Sequence, residues 1–105
     1  MANPYYHPVD FGLEIVGAVE WRDADYEFDL GVVWKDEKGN FFYATDSGCS
    51  CPTPFDDMTM EDLAPALTFF DVVNILSEEL EDRGDYVAAG AHNDVVDIIS
   101  SMRNS

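Results

Sequence analysis

Two cysteines separated by a single residue, Cys49 and Cys51, are the first side chains here that could hold a metal or act as nucleophiles. Joined by His7 and His92 they would complete a tetrahedral zinc set of two thiolates and two imidazoles. The spacing argues against it, because a metal knuckle usually reads C-x-x-C and the histidines lie near opposite ends of the sequence. The plainer reading is that both thiols fill space beneath a loop stiffened by Pro52 and Pro54. No cofactor is expected, and Cys49 and Cys51 stay weak metal candidates, a small zinc-binding domain being the remotest alternative. Catalysis has less to stand on. A Cys-His dyad needs its partners within hydrogen-bond reach, and neither histidine lies in a motif that would arrange this. Phosphate loop, dinucleotide fingerprint and H-E-x-x-H are all missing. The expectation is a protein that is not an enzyme.

A second pattern is acidic. Asp23, Asp25, Glu27 and Asp29 place a carboxylate at every second residue. A calcium loop of the EF-hand type starting at Asp23 would need glycine at its sixth position and glutamate at its twelfth, where Phe28 and Trp34 stand. Alternation is what a strand produces, so the row is expected on one face at spacings of about 6.6 Å, twice the rise per residue. At that distance neighbouring charges repel by about 0.6 kcal/mol even in bulk water, so fold stability alone does not favour the row. Imitation of a phosphate lattice is one use, although about 6.6 Å per charge is half the axial density of a DNA strand. Asp36 and Glu37, Asp56, Asp57, Glu61 and Asp62, or Glu78, Glu79, Glu81 and Asp82 would have to supply the rest. Against this stands the reading that all these acids simply keep the chain hydrated.

The elements that must position these groups follow from periodicity. The chain has 105 residues, 22 acidic and only five basic, for a net charge of -17, yet 47 % are hydrophobic and 13 % aromatic. That composition suits one ordered domain rather than an acidic tail. Residues 1–10 carry two prolines and no period, and read as an extended arm. Phe11, Leu13, Ile15, Val19 and Trp21 share one parity and predict a half-buried strand. A second strand carries Tyr26, Phe28, Leu30, Val32 and Trp34 on one face, with Glu27, Asp29, Val33 and Lys35 on the other. Asp36, Gly39 and Asn40 supply a hairpin turn, and Phe41 opens a third strand, so residues 11–46 form a β-meander. Residues 47–58 are a Cys/Pro loop. In the helical half, residues 59–105, Thr59 and Asp62 resemble a capping box that Pro65 cuts short, and Thr68 and Asp71 repeat the device before a longer helix. That helix ends at Arg83 and Gly84, and a last one starts near Asp85 or Asn93. Strands followed by helices predict an α+β fold, a three-stranded antiparallel sheet packed against two main C-terminal helices.

On this scheme Trp21, Tyr26, Phe28, Trp34, Phe41 and Tyr43 lie under the helices, while Phe42, Val33 and Val16 form an apolar patch on the open face. Such a patch suits a partner or a second copy of the chain. The basic residues Arg22, Lys35, Lys38, Arg83 and Arg103 look scattered, which argues against direct binding of nucleic acid or of an anionic membrane surface. No secretory leader or membrane span is visible, and the expected location is the cytoplasm.

Leu30-Gly31-Val32-Val33-Trp34, the hairpin, and then Ala44-Thr45-Asp46-Ser47-Gly48-Cys49-Ser50-Cys51-Pro52-Thr53-Pro54-Phe55 resemble a family of small acidic proteins encoded by phages of actinobacteria. The resemblance implies a protein that acts in a host cytoplasm by binding a host macromolecule, and carries over no catalytic residue. The expected function is non-enzymatic binding of a host protein, with a basic nucleic-acid-binding protein as one candidate, through Asp23, Asp25, Glu27, Asp29, Phe42 and Phe55. The alternative is a nucleic-acid mimic that occupies the groove of a DNA-binding protein.

Overall fold

The computed structural model describes residues 4–21, 27–49, 63, 66–84 and 90–104. After a 3-10 turn at Pro8–Phe11, three strands follow, β1 Leu13–Glu20, β2 Glu27–Asp36 and β3 Phe41–Cys49, then helices α1 Phe69–Arg83 and α2 Ala91–Arg103. The sheet is antiparallel throughout, in the order β1-β2-β3. The α+β arrangement expected from the element order is what the chain adopts.

The hairpin between β2 and β3 closes as its composition suggests. Gly39 takes a φ of 88°. The Asp36 carboxylate accepts hydrogen bonds from the Lys38 and Asn40 amides, both at 2.9 Å, and from the Asn40 side chain at 3.1 Å. Desolvation pulls this carboxyl upward, but those donors outweigh it and hold Asp36 below its ordinary range. β3 then continues through Cys49, three residues further than its sequence suggests, because Asp46, Ser47 and Gly48 stay in register with Leu30, Asp29 and Phe28.

The strand parities come out differently. A bulge between Ile15 and Gly17 inserts one residue opposite Trp34 and Val33. Since side chains alternate with a period of two, one extra residue moves everything after it to the other face. Leu13 therefore lies on one side of the sheet while Val19 and Trp21 lie on the other. Val16 and Val33 face the helices, in a core with Val19, Trp21, Phe41, Val72, Leu76, Val95, Ile98 and Met102. Trp34 and Phe42 face away from them. The supposed open face is in fact covered: Leu13, Val32, Trp34 and Leu63 are buried there, with Tyr5, Phe11 and Phe42 packed against them. The arm is fastened by the Trp34 indole, which donates to the Pro4 carbonyl at 3.0 Å in the interior.

Both helices form for local reasons. Thr68 Oγ1 accepts from the Asp71 amide while the Asp71 carboxylate accepts from the Thr68 amide, a reciprocal cap that opens α1. Gly84 ends it, donating its amide to the Leu80 carbonyl. α2 begins at Ala91, between the two starts expected for it, and buries Ala91, Val95, Ile98 and Met102. Its approach to β1 is close at Gly17, where a Cβ would stand 2.7 Å from Ile98 Cγ1. Burying a side chain such as Leu76 or Ile98 stabilises by about 1.5–3 kcal/mol, and together these residues hold α1 and α2 on one face of the sheet.

Candidate functional site

Of the side chains expected to bind a partner, Asp23, Asp25 and Phe55 lie outside the described residues, as does Cys51. Glu27 and Cys49 are placed only as backbone, at the start of β2 and the end of β3. Phe42 is half-buried in the second core and is not part of an open patch. Asp29 is not a free charge in a solvated row. It pairs with Arg83 from the last turn of α1, and its side chain is only 17 % exposed. His7 and His92 are both exposed, one before the 3-10 turn and the other in the first turn of α2. Among the described residues no three His, Cys, Asp or Glu side chains converge on a metal position, and no helix is long and apolar enough to cross a membrane.

Arg83 gathers a polar cluster at the end of the sheet away from the hairpin. Its guanidinium donates to both oxygens of Asp29, and its Nε donates to Glu79 Oε2 at 2.9 Å. The guanidinium carbon lies 5.1 Å from the centre of the Trp21 ring, within cation–π range. Desolvation works against the cation, but the two carboxylates outweigh it and leave Arg83 harder to deprotonate than usual. Beneath this clasp, Trp21 Nε1 and Tyr43 Oη are buried without a well-formed hydrogen bond. Both reach the space above Gly31, at 2.7 and 2.6 Å from where a Cβ would stand. Burial pushes the Tyr43 phenol far above its ordinary value. The Glu79 and Asp29 carboxylates push the same way, while the approach of the Trp21 N–H and the Arg83 cation oppose them. The phenol is thus held protonated.

Among the described residues, two surfaces suit recognition. On α1, Asp71, Glu78, Glu81 and Asp82 are all exposed, and at 100° per residue they share an arc of about 100°. Phe70 flanks this stripe and is 74 % exposed. At the hairpin end lies a cleft of about 820 Å³ lined in part by Leu13, Phe41, Phe69 and Met102, together with Lys35, Lys38 and Arg103. Sequence reasoning missed both the clasp and this cleft. The Glu79–Arg83 spacing of four residues was a visible signal for half of the clasp. Nothing in the linear order announces that Arg103 meets the hairpin lysines.

No curated protein and no solved structure matches the chain. A family profile, by contrast, covers residues 2–104, the three strands and both helices included. On that coverage the chain belongs to the family described as domain of unknown function DUF7574.

Proposed function

We propose that this chain is a non-enzymatic binding module that engages a basic protein through the outer side of α1. The resemblance of residues 30–55 to actinobacterial phage proteins supports a setting in the cytoplasm of a host cell, with a host protein as target. One observation carries the reading: Asp71, Glu78, Glu81 and Asp82 stand exposed on one side of α1 beside an exposed Phe70, while the helix's only cation, Arg83, is turned inward to Asp29 and Glu79. Carboxylates of this kind steer a cationic partner into encounter, and an aromatic anchor holds it.

The test is capture from host lysate at low and high salt, comparing the natural chain with Glu78→Lys/Glu81→Lys/Asp82→Lys and with Phe70→Ala. A specific basic protein retained by the natural chain and lost by both variants is the expected result. Retention of the same protein by the charge-reversed chain would sink the reading. Competition by duplex DNA, and only that, would favour nucleic-acid mimicry, in which Asp29 takes no part because Arg83 already neutralises it.

A further inference from the structure

Apart from Arg83 itself, the clasp at the end of the sheet consists of three groups that recognise a guanidinium: the Asp29 carboxylate on β2, the Glu79 carboxylate on α1 and the ring of Trp21. Asp29 and Trp21 are cross-strand neighbours, fixed to each other by the Trp21 amide, which donates to the Asp29 carbonyl at 2.7 Å. Asp29 receives both ends of the guanidinium fork on its two oxygens, Nη2 at 3.4 Å, and Glu79 receives Nε at 2.9 Å. A planar fork that meets two carboxylates while its carbon lies 5.1 Å from the centre of the Trp21 ring suits arginine and not the compact ammonium of lysine.

The resident arginine is placed where it can be exchanged. It sits in the last turn of α1, next to the Gly84 that ends the helix, and a helix frays from its ends. The clasp is also open to solvent, the side chains of Arg83 and Glu79 being 27 % and 30 % exposed. Its charges do not balance: two carboxylates around one guanidinium leave a charge of -1, so a second cation is drawn in before the first departs. Replacing one guanidinium by another leaves neither carboxylate uncompensated, and the penalty that opposes simple opening of the clasp is then absent.

We infer that this clasp is an arginine-binding site, filled in the free chain by Arg83 and taken over in a complex by an arginine of a basic partner. Glu78 and Asp82, each beside a member of the clasp in the sequence, belong to the exposed stripe of α1, so a partner steered to the stripe arrives at the site. The inference rests on the reading that α1 engages a basic protein, and adds which cation that protein must carry.

Two measurements test it, and neither needs the partner. In Arg83→Ala the site is vacated, and N-acetyl-arginine methylamide, followed by the Trp21 indole N–H resonance, should bind about fivefold tighter than N-acetyl-lysine methylamide, the worth of one further hydrogen bond. Asp29→Asn in the same chain should remove that preference. In the natural chain, which does not depend on the variant's stability, hexa-arginine should move the Arg83 Nε–H resonance to the position of a solvated side chain, while hexalysine of equal charge should leave it in place. Equal affinity of the arginine and lysine probes, a preference that survives Asp29→Asn, or an Arg83 resonance unmoved by saturating hexa-arginine would each mark the clasp as a purely structural ion pair and overturn the inference. A natural chain that passes these tests yet captures no basic protein from lysate would count against the α1 reading and leave the arginine site standing.

Discussion

Gly31 shows how much one absent methyl group decides. Its neighbours Tyr43 Oη and Trp21 Nε1 would lie 2.6 and 2.7 Å from a Cβ, closer than real Cβ contacts come, and both belong to stiff rings, that of Trp21 fully buried and that of Tyr43 half-buried. Gly31→Ala should therefore cost about 1–3 kcal/mol by overpacking, measured as a lower urea midpoint. Adding Tyr43→Phe removes the nearer atom and should restore part of the loss. Tyr43 itself makes a second prediction, in pH. The folded chain keeps the phenolic proton at pH values where the unfolded chain has released it, because burial raises the folded value above the ordinary 10.0. The unfolded state then binds fewer protons, so stability is fully present below about pH 10 and falls as pH rises beyond it. Tyr43→Phe should flatten that alkaline decline in a urea series from about pH 8 to about pH 11. An equally steep decline in the variant would contradict the assignment.

At the scale of elements, α1 is held at its two ends by different devices, and they can be separated. Arg83→Met removes the bonds to Asp29 and Glu79 and leaves the half-buried Asp29 carboxylate without its cation. Partial exposure discounts the cost, which should be about 1–3 kcal/mol. Amide exchange should quicken in the last turns of α1 and leave the first turn unchanged. Thr68→Ala should do the reverse, freeing the first turn for about 1 kcal/mol. These elements also show what was legible in the sequence. The caps at Thr68 and Asp71, the hairpin at Gly39 and the α2 stripe rest on contacts within a few residues, and local pattern reports them. The bulge between Ile15 and Gly17 is marked in the sequence only by that lone glycine, a signal of a bulge that alternation by itself overrides, so one parity is assigned to a strand that uses two. That slip misplaces Val16; Val33 and Trp34 are misplaced because Phe41 pairs with Lys35 and Phe42 with Trp34, and the face around Phe42 is closed by Tyr5, Phe11 and Leu63. The pairing of Asp29 with Arg83 spans 54 residues of chain, a distance no spacing rule reaches.

The whole molecule carries -17 on 105 residues, and salt acts on that charge in two opposite ways. Among the described residues the attractive pairs are Glu14–Lys35, Asp29–Arg83 and Glu79–Arg83. The last two are half-buried and so resist screening, whereas most of the remaining described carboxylates are exposed and repel one another through solvent. Raising sodium chloride should therefore stabilise the fold, by about 1–2 kcal/mol, or about 4–8 °C in melting temperature for each kcal/mol at this size. The same ions shield the α1 stripe from a cationic partner, so binding should weaken over the range in which the protein becomes harder to melt. Measuring melting and binding in one salt series separates recognition from folding. If capture declined because the chain was unfolding, the two curves would fall together; a curve for stability that rises while the binding curve falls assigns the acids to the surface and not to the core.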